Sequence, residues 1–292
     1  MPAQDEPAPT ATLGDLLRHG RAKLEAAGCP TPALDARLLL LAATGANHAA
    51  LISDPGRAVI AESHRRYESM IDRRAAREPV DRILGGRDFH GIFLTLSPDT
   101  LSPRGDTEIL VDAALGHVGR IAAKTGRCRI LDIGTGTGAI ALSLLAAEPR
   151  VFATGTDIAA GALATAAQNA AMLGLSCRFT LLLSDVFQEV KGEFDLILSN
   201  PPYIPTPDIG ALMPEVRLFD PSAALDGGID GLDFYRRIAA GARAHLSPGG
   251  RVGLEFGHDQ KQAVAAIFGQ AGFAVESAHV DLGGNDRVMI LR

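Results

Sequence analysis

Ile130–Leu145 reads ILDIGTGTGAIALSLL and joins a short apolar run, a glycine-rich loop and the start of an apolar helix. Its glycines Gly134, Gly136 and Gly138 allow the backbone to turn tightly and to approach a ligand closely. Because the helix begins directly after the loop, its N-terminal amides face the same ligand. The stretch therefore predicts a strand, a ligand-binding loop and a helix, which is the opening unit of an α/β fold.

Strand and helix patterns alternate from this stretch to the C-terminus. Strands are predicted at 130–133, 151–156, 178–183, 194–198, 251–256, 274–279 and 287–291. Helices are predicted at 107–123, 139–147, 160–173, 232–246 and 260–271. Only the turn DLGGND separates the last two strands, so they are expected to pair antiparallel. The alternation predicts an α/β domain over residues 108–292 with a seven-stranded, mostly parallel, Rossmann-like sheet, and the final hairpin resembles that of class I methyltransferases.

Three segments precede this domain. Residues 1–10, MPAQDEPAPT, are rich in Pro and Ala and predict a disordered tail. Residues 11–84 show helical periodicity with short loops and predict a small helical bundle. Residues 85–107 contain glycine pairs and Ser-Pro steps, which predict an extended or hairpin linker.

The composition is that of a globular protein, with 292 residues, 47% hydrophobic and 21% charged, and a formal net charge of −6. This acidic balance disfavours nucleic acid as a direct partner. The three cysteines are widely spaced and form no CxxC motif, so neither a disulfide framework nor a metal site is expected. The N-terminus lacks a signal-peptide pattern, and no apolar run reaches the ~18 residues of a membrane span, so a cytoplasmic location is expected.

The ligand of the glycine loop is ambiguous from the loop alone. Gly134, Gly136 and Ala139 also satisfy the G-x-G-x-x-G/A fingerprint of dinucleotide-binding enzymes, and Asp157 follows at the distance of its acidic residue. A carboxylate at that place can accept hydrogen bonds from both ribose hydroxyls. Asp132, inside the strand end, suits a ligand with cationic groups better than a pyrophosphate. These features favour S-adenosylmethionine, with an NAD-dependent dehydrogenase or a purely structural glycine turn as alternatives.

Three residues after the predicted strand 178–183 offer contacts to an adenine ring. Asp185 is placed to contact the adenine amine, and Val186 or Phe187 to flank the ring. An ordinary turn or capping role for Asp185 stays open.

Ser199–Pro205 reads SNPPYIP and follows the apolar run FDLIL. Two prolines cannot continue a central strand, because neither donates to the hydrogen-bond ladder. The strand therefore ends with Asn200 at the carboxyl edge of the sheet, next to the cofactor.

The same motif suits the methylation of a planar NH2 group. The side-chain oxygen of Asn200 can accept one N–H of that group, and a backbone carbonyl held by Pro201 and Pro202 can accept the other. Tyr203 can stack on the flat substrate. The motif indicates the reaction rather than the substrate, and a plain strand-ending turn is its alternative.

Five stretches in one order narrow the family. They are SPRGDTEILV (102–111), LDIGTGTGAIALSL (131–144), SNPPYIP, EVRLFDPSAALDGGIDGLDFYRRI (215–238) and DLGGNDRV (281–288). Together with the helical bundle, they closely resemble the HemK/PrmC family, the peptide chain release factor glutamine methyltransferases. The chain departs from the family pattern at Gly105, where a proline is usual, and at Val186, where an aromatic residue is common.

The resemblance implies methyl transfer from S-adenosylmethionine to the glutamine of the GGQ motif in release factors. A monomer is expected. The resemblance also implies that Asn200–Tyr203 hold this glutamine, and that Gly134–Gly138, including Thr135 and Thr137, bind the cofactor with Asp157. The bundle would then dock the release factor. A glutamine methyltransferase for a ribosomal protein and a nucleic-acid amino-methyltransferase are the alternatives. For Glu215, Glu255 and His258, a site role and a structural role both stay open.

Overall fold

The computed structural model describes residues 11–292, and the predicted disordered tail at residues 1–10 lies outside them. Contacts within the chain divide it into two compact units, Met1–Gly85 and Gly86–Arg292. Among the described residues, none of the helices combines the length and the apolar character needed to cross a bilayer.

The described part of the first unit is a helical bundle. Its helices are α1 (Leu13–Ala26), α2 (Pro32–Thr44), α3 (His48–Ser53), α4 (Ala61–Ala75) and α5 (Val80–Leu84). Reciprocal hydrogen bonds between Thr12 and Asp15 start α1, since each side chain accepts from the other's backbone amide at 3.2 Å. The three longer helices were predicted. The short α3 and α5 were not, because five or six residues carry no helical period.

The core of the bundle is apolar and contains a buried ion pair. Leu24, Leu39 and Ile71 are fully buried. Arg74 Nε donates to Asp35 Oδ2 at 2.7 Å, and both side chains are less than a tenth exposed. This pair ties α2 to α4 inside the core.

The second unit is a three-layer α/β/α structure. Its strands are β1 (Gly86–Phe89), β2 (Ile92–Thr95), β3 (Cys128–Ile133), β4 (Val151–Asp157), β5 (Phe179–Leu183), β6 (Phe194–Ser199), β7 (Leu246–Glu255), β8 (Val275–Val280) and β9 (Asp286–Leu291). Its helices are α6 (Glu108–Thr125), α7 (Ala139–Ala147), α8 (Ala160–Met172), α9 (Pro214–Arg217), α10 (Asp233–His245) and α11 (Lys261–Gln270).

Seven strands form one sheet in the order β5-β4-β3-β6-β7-β9-β8. All pairs are parallel except the two that involve β9. The predicted seven-stranded sheet and its antiparallel final hairpin are therefore confirmed. The carboxyl ends of β3, β4, β6 and β7 meet at one edge, which is where open α/β sheets bind ligands.

Alternation along the strands explains the two outer layers. Ile130 and Leu196 contribute to the core beneath α6, α7 and α8, whereas Leu131 and Ile197 contribute to the core beneath α10 and α11. Successive side chains of a strand point to opposite faces, so a strand that is apolar throughout is covered on both.

Of the predicted linker 85–107, residues 86–107 group with the second unit. β1 and β2 pair antiparallel across His90 and Gly91, both of which have positive φ. The side chain of Asn169 in α8 accepts from the Thr95 amide at 2.9 Å and donates to the Thr137 carbonyl at 2.9 Å. One buried amide thus joins the hairpin to the glycine loop.

Candidate active site

The glycine loop leaves β3 and is closed by backbone hydrogen bonds. The amide of Thr135 donates to Thr156 O at 2.8 Å, and that of Gly138 donates to Thr135 O at 2.7 Å. A Cβ atom added at Gly136 would meet no atom within 4 Å, whereas one at Gly138 would lie 2.8 Å from Leu142. Gly136 therefore borders open space, and Gly138 is favoured by its backbone φ of +84°, which other residues rarely adopt.

Asp157 at the end of β4 faces this loop. Its Oδ2 accepts from the amide of Gly136 at 3.0 Å, and its Oδ1 accepts from the amide of Ala159 at 3.0 Å. The register that pairs Ile133 with Thr156 brings the two strand ends together. The structure therefore joins the predicted acidic residue to the predicted loop.

Asp132 is buried beneath the loop, with 1% exposure. Its Oδ2 accepts from Thr135 Oγ1 at 2.7 Å, and Oδ1 makes no hydrogen bond within residues 11–292. Burial raises the pKa of Asp132 to about 6, against the lowering influence of Thr135 and of the Ala141 amide. Since Thr135 and Thr137 are also buried, the loop presents its backbone rather than these side chains.

The three predicted residues after β5 lie in different environments. Asp185 forms an ion pair with Arg237 of α10 at 2.6 Å, and both side chains are about 40% exposed. Val186 is buried at a φ of +54°, a conformation that β-branched residues rarely adopt. Phe187 stacks on His245 at 4.8 Å. Its ring is therefore engaged by α10, whereas the carboxylate of Asp185 stays at the surface.

The SNPPYIP turn is held on both sides. The amide of Ile204 donates to Leu225 O at 3.1 Å, and Ile204 O accepts from Gly227 at 2.9 Å. Pro201 is buried and Tyr203 is half-buried. Burial raises the pKa of Tyr203 to about 12, so its hydroxyl stays protonated at neutral pH. The prolines and this short bridge make the turn rigid.

Gln260 supports the same turn, and the sequence analysis missed it. Its Nε2 donates to Tyr203 O at 2.9 Å and to Gly231 O at 3.3 Å, while its Oε1 accepts from the Gly257 amide at 3.1 Å. The side chain is 8% exposed. The sequence offers no signal for this clamp, because Gln260 only precedes a helix and its partners are distant in the chain.

Asn200 lies where β6 ends, and its side chain is held from behind. Its Nδ2 donates to Thr107 Oγ1 at 3.1 Å. No hydrogen bond to its Oδ1 occurs within the described part of the chain, so this oxygen is available as an acceptor. Glu255, at the end of the neighbouring β7, has an exposure of 1%.

A cavity of about 410 Å³ opens in front of Asn200. Its lining includes the polar residues Arg104, Asp106 and Arg287 and the apolar residues Leu101, Leu212 and Val216. Tyr203 and Gly105 also line it. At Gly105, an added Cβ would meet nothing within 4 Å. This departure from the family pattern therefore leaves free space in the cavity lining.

Two family profiles match the chain, the PrmC N-terminal domain over residues 15–85 and the methyltransferase small domain over residues 114–210. The release factor glutamine methyltransferase of Agrobacterium fabrum is 49% identical over 97% of this chain and 98% of its own length. That of Rhodospirillum rubrum is 46% identical over 96% of this chain and 85% of its own length. This chain belongs to the release factor glutamine methyltransferase family.

Family membership confirms the predicted resemblance and identifies the chain as an S-adenosylmethionine-dependent methyltransferase, which excludes the dehydrogenase alternative. A solved structure shares the fold of the second unit. The ribosomal protein L11 methylase of Lactobacillus delbrueckii subsp. bulgaricus aligns over 68% of this chain and 83% of its own, with a TM-score of 0.50 and 18% identity.

The loop of this methyltransferase fits S-adenosylmethionine. Gly134 and Gly136 border space that a side chain would fill, and both have positive φ. Asp132 offers a buried carboxylate oxygen without a partner in residues 11–292, which suits a cationic ligand. Asp157 offers oxygens at the strand end, the position from which an acidic residue reaches ribose hydroxyls.

Proposed function

We propose that this methyltransferase transfers a methyl group to the side-chain amide nitrogen of the glutamine in the GGQ motif of peptide chain release factors. The relatives that match nearly the whole chain are release factor glutamine methyltransferases, which supports this substrate. One observation carries the chemistry: Asn200, whose Nδ2 is engaged by Thr107, borders a cavity and has an acceptor oxygen available.

Asn200 and the prolines orient the substrate amide. A primary amide nitrogen is a weak nucleophile because its lone pair is delocalised, so it must be held in position. Asn200 Oδ1 accepts one N–H of this group, and a backbone carbonyl at Pro201–Pro202 accepts the other. Both acceptors stabilise the positive charge that develops on the nitrogen. Tyr203 stacks on the flat amide.

The proposed cofactor site lies at the same edge of the sheet as Asn200. We propose that the backbone of Gly134–Gly138 and the carboxylates of Asp132 and Asp157 hold S-adenosylmethionine, with Asp185, Val186 and Asn200 beside it. When bound, the cofactor supplies an electrophilic methyl group. The chain needs no strong base, because the amide nitrogen would carry a positive charge directly after accepting the methyl group and would then lose a proton readily to water.

The remaining expectations concern the setting of the reaction. We propose that the helical bundle at residues 11–84 docks the release factor and that the chain acts as a monomer in the cytoplasm, where termination of translation takes place. The net charge of −6 supports a protein partner over direct contact with nucleic acid. Sedimentation of the purified chain alone and with a release factor tests the monomer and the docking.

Labelled S-adenosylmethionine tests the substrate directly. The purified chain is incubated with release factors, a ribosomal protein or DNA, and a release factor whose GGQ glutamine is replaced by alanine serves as the control. Label is expected on the release factors and not on this control. Label confined to the ribosomal protein or to DNA would contradict the proposal and support one of the alternatives.

The variant Asn200→Ala tests the chemical role of the side chain. Methyl transfer is expected to be lost, because the substrate amide loses an acceptor. Binding of S-adenosylmethionine, measured by calorimetry, is expected to stay within about threefold of the wild type, since the loop and Asp157 are unchanged. Undiminished transfer by this variant would contradict the role of Asn200.

A further inference from the structure

We propose that Thr107 and Glu255 are positioning residues that hold the Asn200 carboxamide with its oxygen toward the substrate cavity. This inference rests on the proposed function, in which Asn200 Oδ1 accepts an N–H of the substrate. The two residues come from different elements. Thr107 precedes α6, and Glu255 ends β7.

The sheet brings these side chains together. β6 pairs with β7 so that its last residue, Ser199, lies opposite Leu254. Asn200 directly follows β6, and Glu255 is the last residue of β7. Thr107 and Glu255 are 4% and 1% exposed. The buried Thr107 and Glu255 therefore lie next to the half-buried Asn200 at the carboxyl edge of the sheet.

The hydroxyl of Thr107 is used in an unusual way for its position. Thr107 is the residue that caps the N-terminus of α6, yet its side chain makes no capping hydrogen bond to that helix. Instead its oxygen accepts from Asn200 Nδ2 at 3.1 Å. The hydroxyl proton is then free to be donated elsewhere, because one hydroxyl donates one proton and accepts on its lone pairs.

Glu255 is the acceptor available for that proton. Its Oε2 is buried and has no hydrogen-bond partner within residues 11–292. The register of β6 and β7 sets Glu255 beside Asn200, and Thr107 and Asn200 both lower the pKa of its carboxylate. Asn200 Nδ2 donates to Thr107 in the structure, and rotation of the Thr107 hydroxyl would let it donate to Glu255, which would complete a chain of hydrogen bonds. This chain specifies which end of the Asn200 amide faces the cavity.

The charge on Glu255 determines whether Thr107 can donate a hydrogen bond to it. Burial raises its pKa to about 7, and Asp106 also raises it, whereas Arg287 lowers it. The other titratable groups near the carboxylate are Tyr203 and Tyr235, whose raised pKa values keep both neutral at this pH. Ionised Glu255 accepts from Thr107. Protonated Glu255 can instead donate to the Thr107 oxygen, which competes with Asn200. The orientation of Asn200 is therefore complete above about pH 7 and weakened below it.

A purely structural role does not account for this arrangement. A buried carboxylate that lacks a full set of partners lowers the stability of the fold. For packing alone, an apolar or amide side chain of similar size would stabilise the fold more than this carboxylate does. The position of the carboxylate next to Asn200 points to orientation rather than to stability.

Nuclear magnetic resonance of the Asn200 side-chain amide tests the orientation without any substrate. The resonance is assigned by its absence in Asn200→Ala. In the wild type, we expect its shift to titrate with a midpoint near pH 7, following Glu255. In Thr107→Val, we expect the shift to move and the titration to disappear, whereas Thr107→Ser should restore both. A shift that is the same in Thr107→Val and the wild type would overturn the proposal.

Kinetics with the release factor provide the second test. Thr107→Val is expected to lower kcat about tenfold with little change in the binding of S-adenosylmethionine, because one orienting hydrogen bond is lost. Thr107→Ser should keep kcat within about twofold of the wild type. The kcat of the wild type should fall below about pH 7, and Glu255→Gln should lack this dependence, whereas the exposed control Glu189→Gln should keep it.

The two tests separate the possible failures. If the wild type methylates no release factor, the proposed function is wrong, and the resonance of Asn200 still decides whether Thr107 and Glu255 orient it. If the wild type is active and Thr107→Val retains full kcat at all pH values, the positioning role is wrong and the proposed function stands.

Discussion

Asp157 Oδ2 accepts a hydrogen bond from the backbone amide of Gly136 at 3.0 Å, so the acidic end of β4 is joined to the glycine loop after β3. We predict that Asp157→Ala raises the dissociation constant for S-adenosylmethionine at least about tenfold, because it removes this bond and a charged acceptor for the ribose. Calorimetric titration measures the affinity. The exposed control Asp88→Ala should bind as the wild type does, and equal affinity in both variants would contradict the role of Asp157.

Gln260 links the SNPPYIP turn to the start of α11, and this clamp leads to a second prediction. Gln260→Ala leaves the carbonyl of Tyr203 without its 2.9 Å hydrogen bond and loosens the turn. We expect kcat to fall about tenfold while cofactor affinity is retained. Steady-state assays with a release factor measure both effects against Gln262→Ala, an exposed glutamine two residues away. A normal kcat in Gln260→Ala would show that the prolines alone hold the turn.

The buried carboxylate of Glu255 predicts how stability varies with pH. Its pKa is raised from 4.5 to about 7, mainly by burial, so the folded state retains the proton more strongly than the unfolded state does. The stabilisation from this group is present below pH 4.5 and is lost as the pH rises through about 7. As the pH rises from 5 to 8, the wild type should therefore lose up to about 3 kcal/mol of unfolding free energy through this group. Glu255→Gln should not show this loss, so it gains that much relative to the wild type.

Urea unfolding followed by circular dichroism at the two pH values measures this difference. Glu189→Gln serves as the exposed control and should track the wild type throughout. A gain that is the same at both pH values would mean that Glu255 stays ionised across this range. Asp132, whose pKa is raised to about 6 by burial, contributes with the same sign in every variant and cancels in the comparison.

The bundle offers a contrast between two ion pairs. Asp35 and Arg74 are buried at 2.7 Å, whereas the Lys23–Asp72 pair is exposed, with 63% exposure of the Asp72 side chain. Asp35→Ala should destabilise the first unit by about 3–5 kcal/mol, because it leaves a buried guanidinium without its carboxylate. Asp72→Ala should change stability by less than about 1 kcal/mol. Thermal unfolding compares the two, and similar losses would mean that burial does not govern the energy of these pairs.

Most of the sheet was predictable because its signals are local. Apolar runs of five to seven residues such as β3 and β6, bounded by glycine or proline, are typical of strands buried on both faces. The predicted strands differ from the observed ones by a few residues at their ends, most at the start of β7. The sequence did not predict the elements of segment 204–232, because they are turns and very short helices, held in part by hydrogen bonds to the SNPPYIP turn.

The candidate site was predictable only in part. Gly136, Asp157 and Asn200 could be predicted to lie at one edge of the sheet because glycine turns and strand-ending prolines have fixed places in an α/β fold. Gln260 was missed, and Glu255 was left without a role, because a lone polar residue beside a helix or in a strand has many uses. Phe187 was expected near the adenine ring, but its ring stacks on His245, a contact that depends on the packing of α10.

The amino-acid sequence by itself determined the layered sheet, the edge at which the ligand loop lies and the type of reaction, since periodicity, turn chemistry and motif order are properties of neighbouring residues. Only the tertiary structure decided how the Asn200 amide is held. Thr107 lies 93 residues before Asn200, and Glu255 comes from the next strand of the sheet. Contacts between side chains so distant in the chain leave no periodic pattern, because they arise only when the strands are placed side by side.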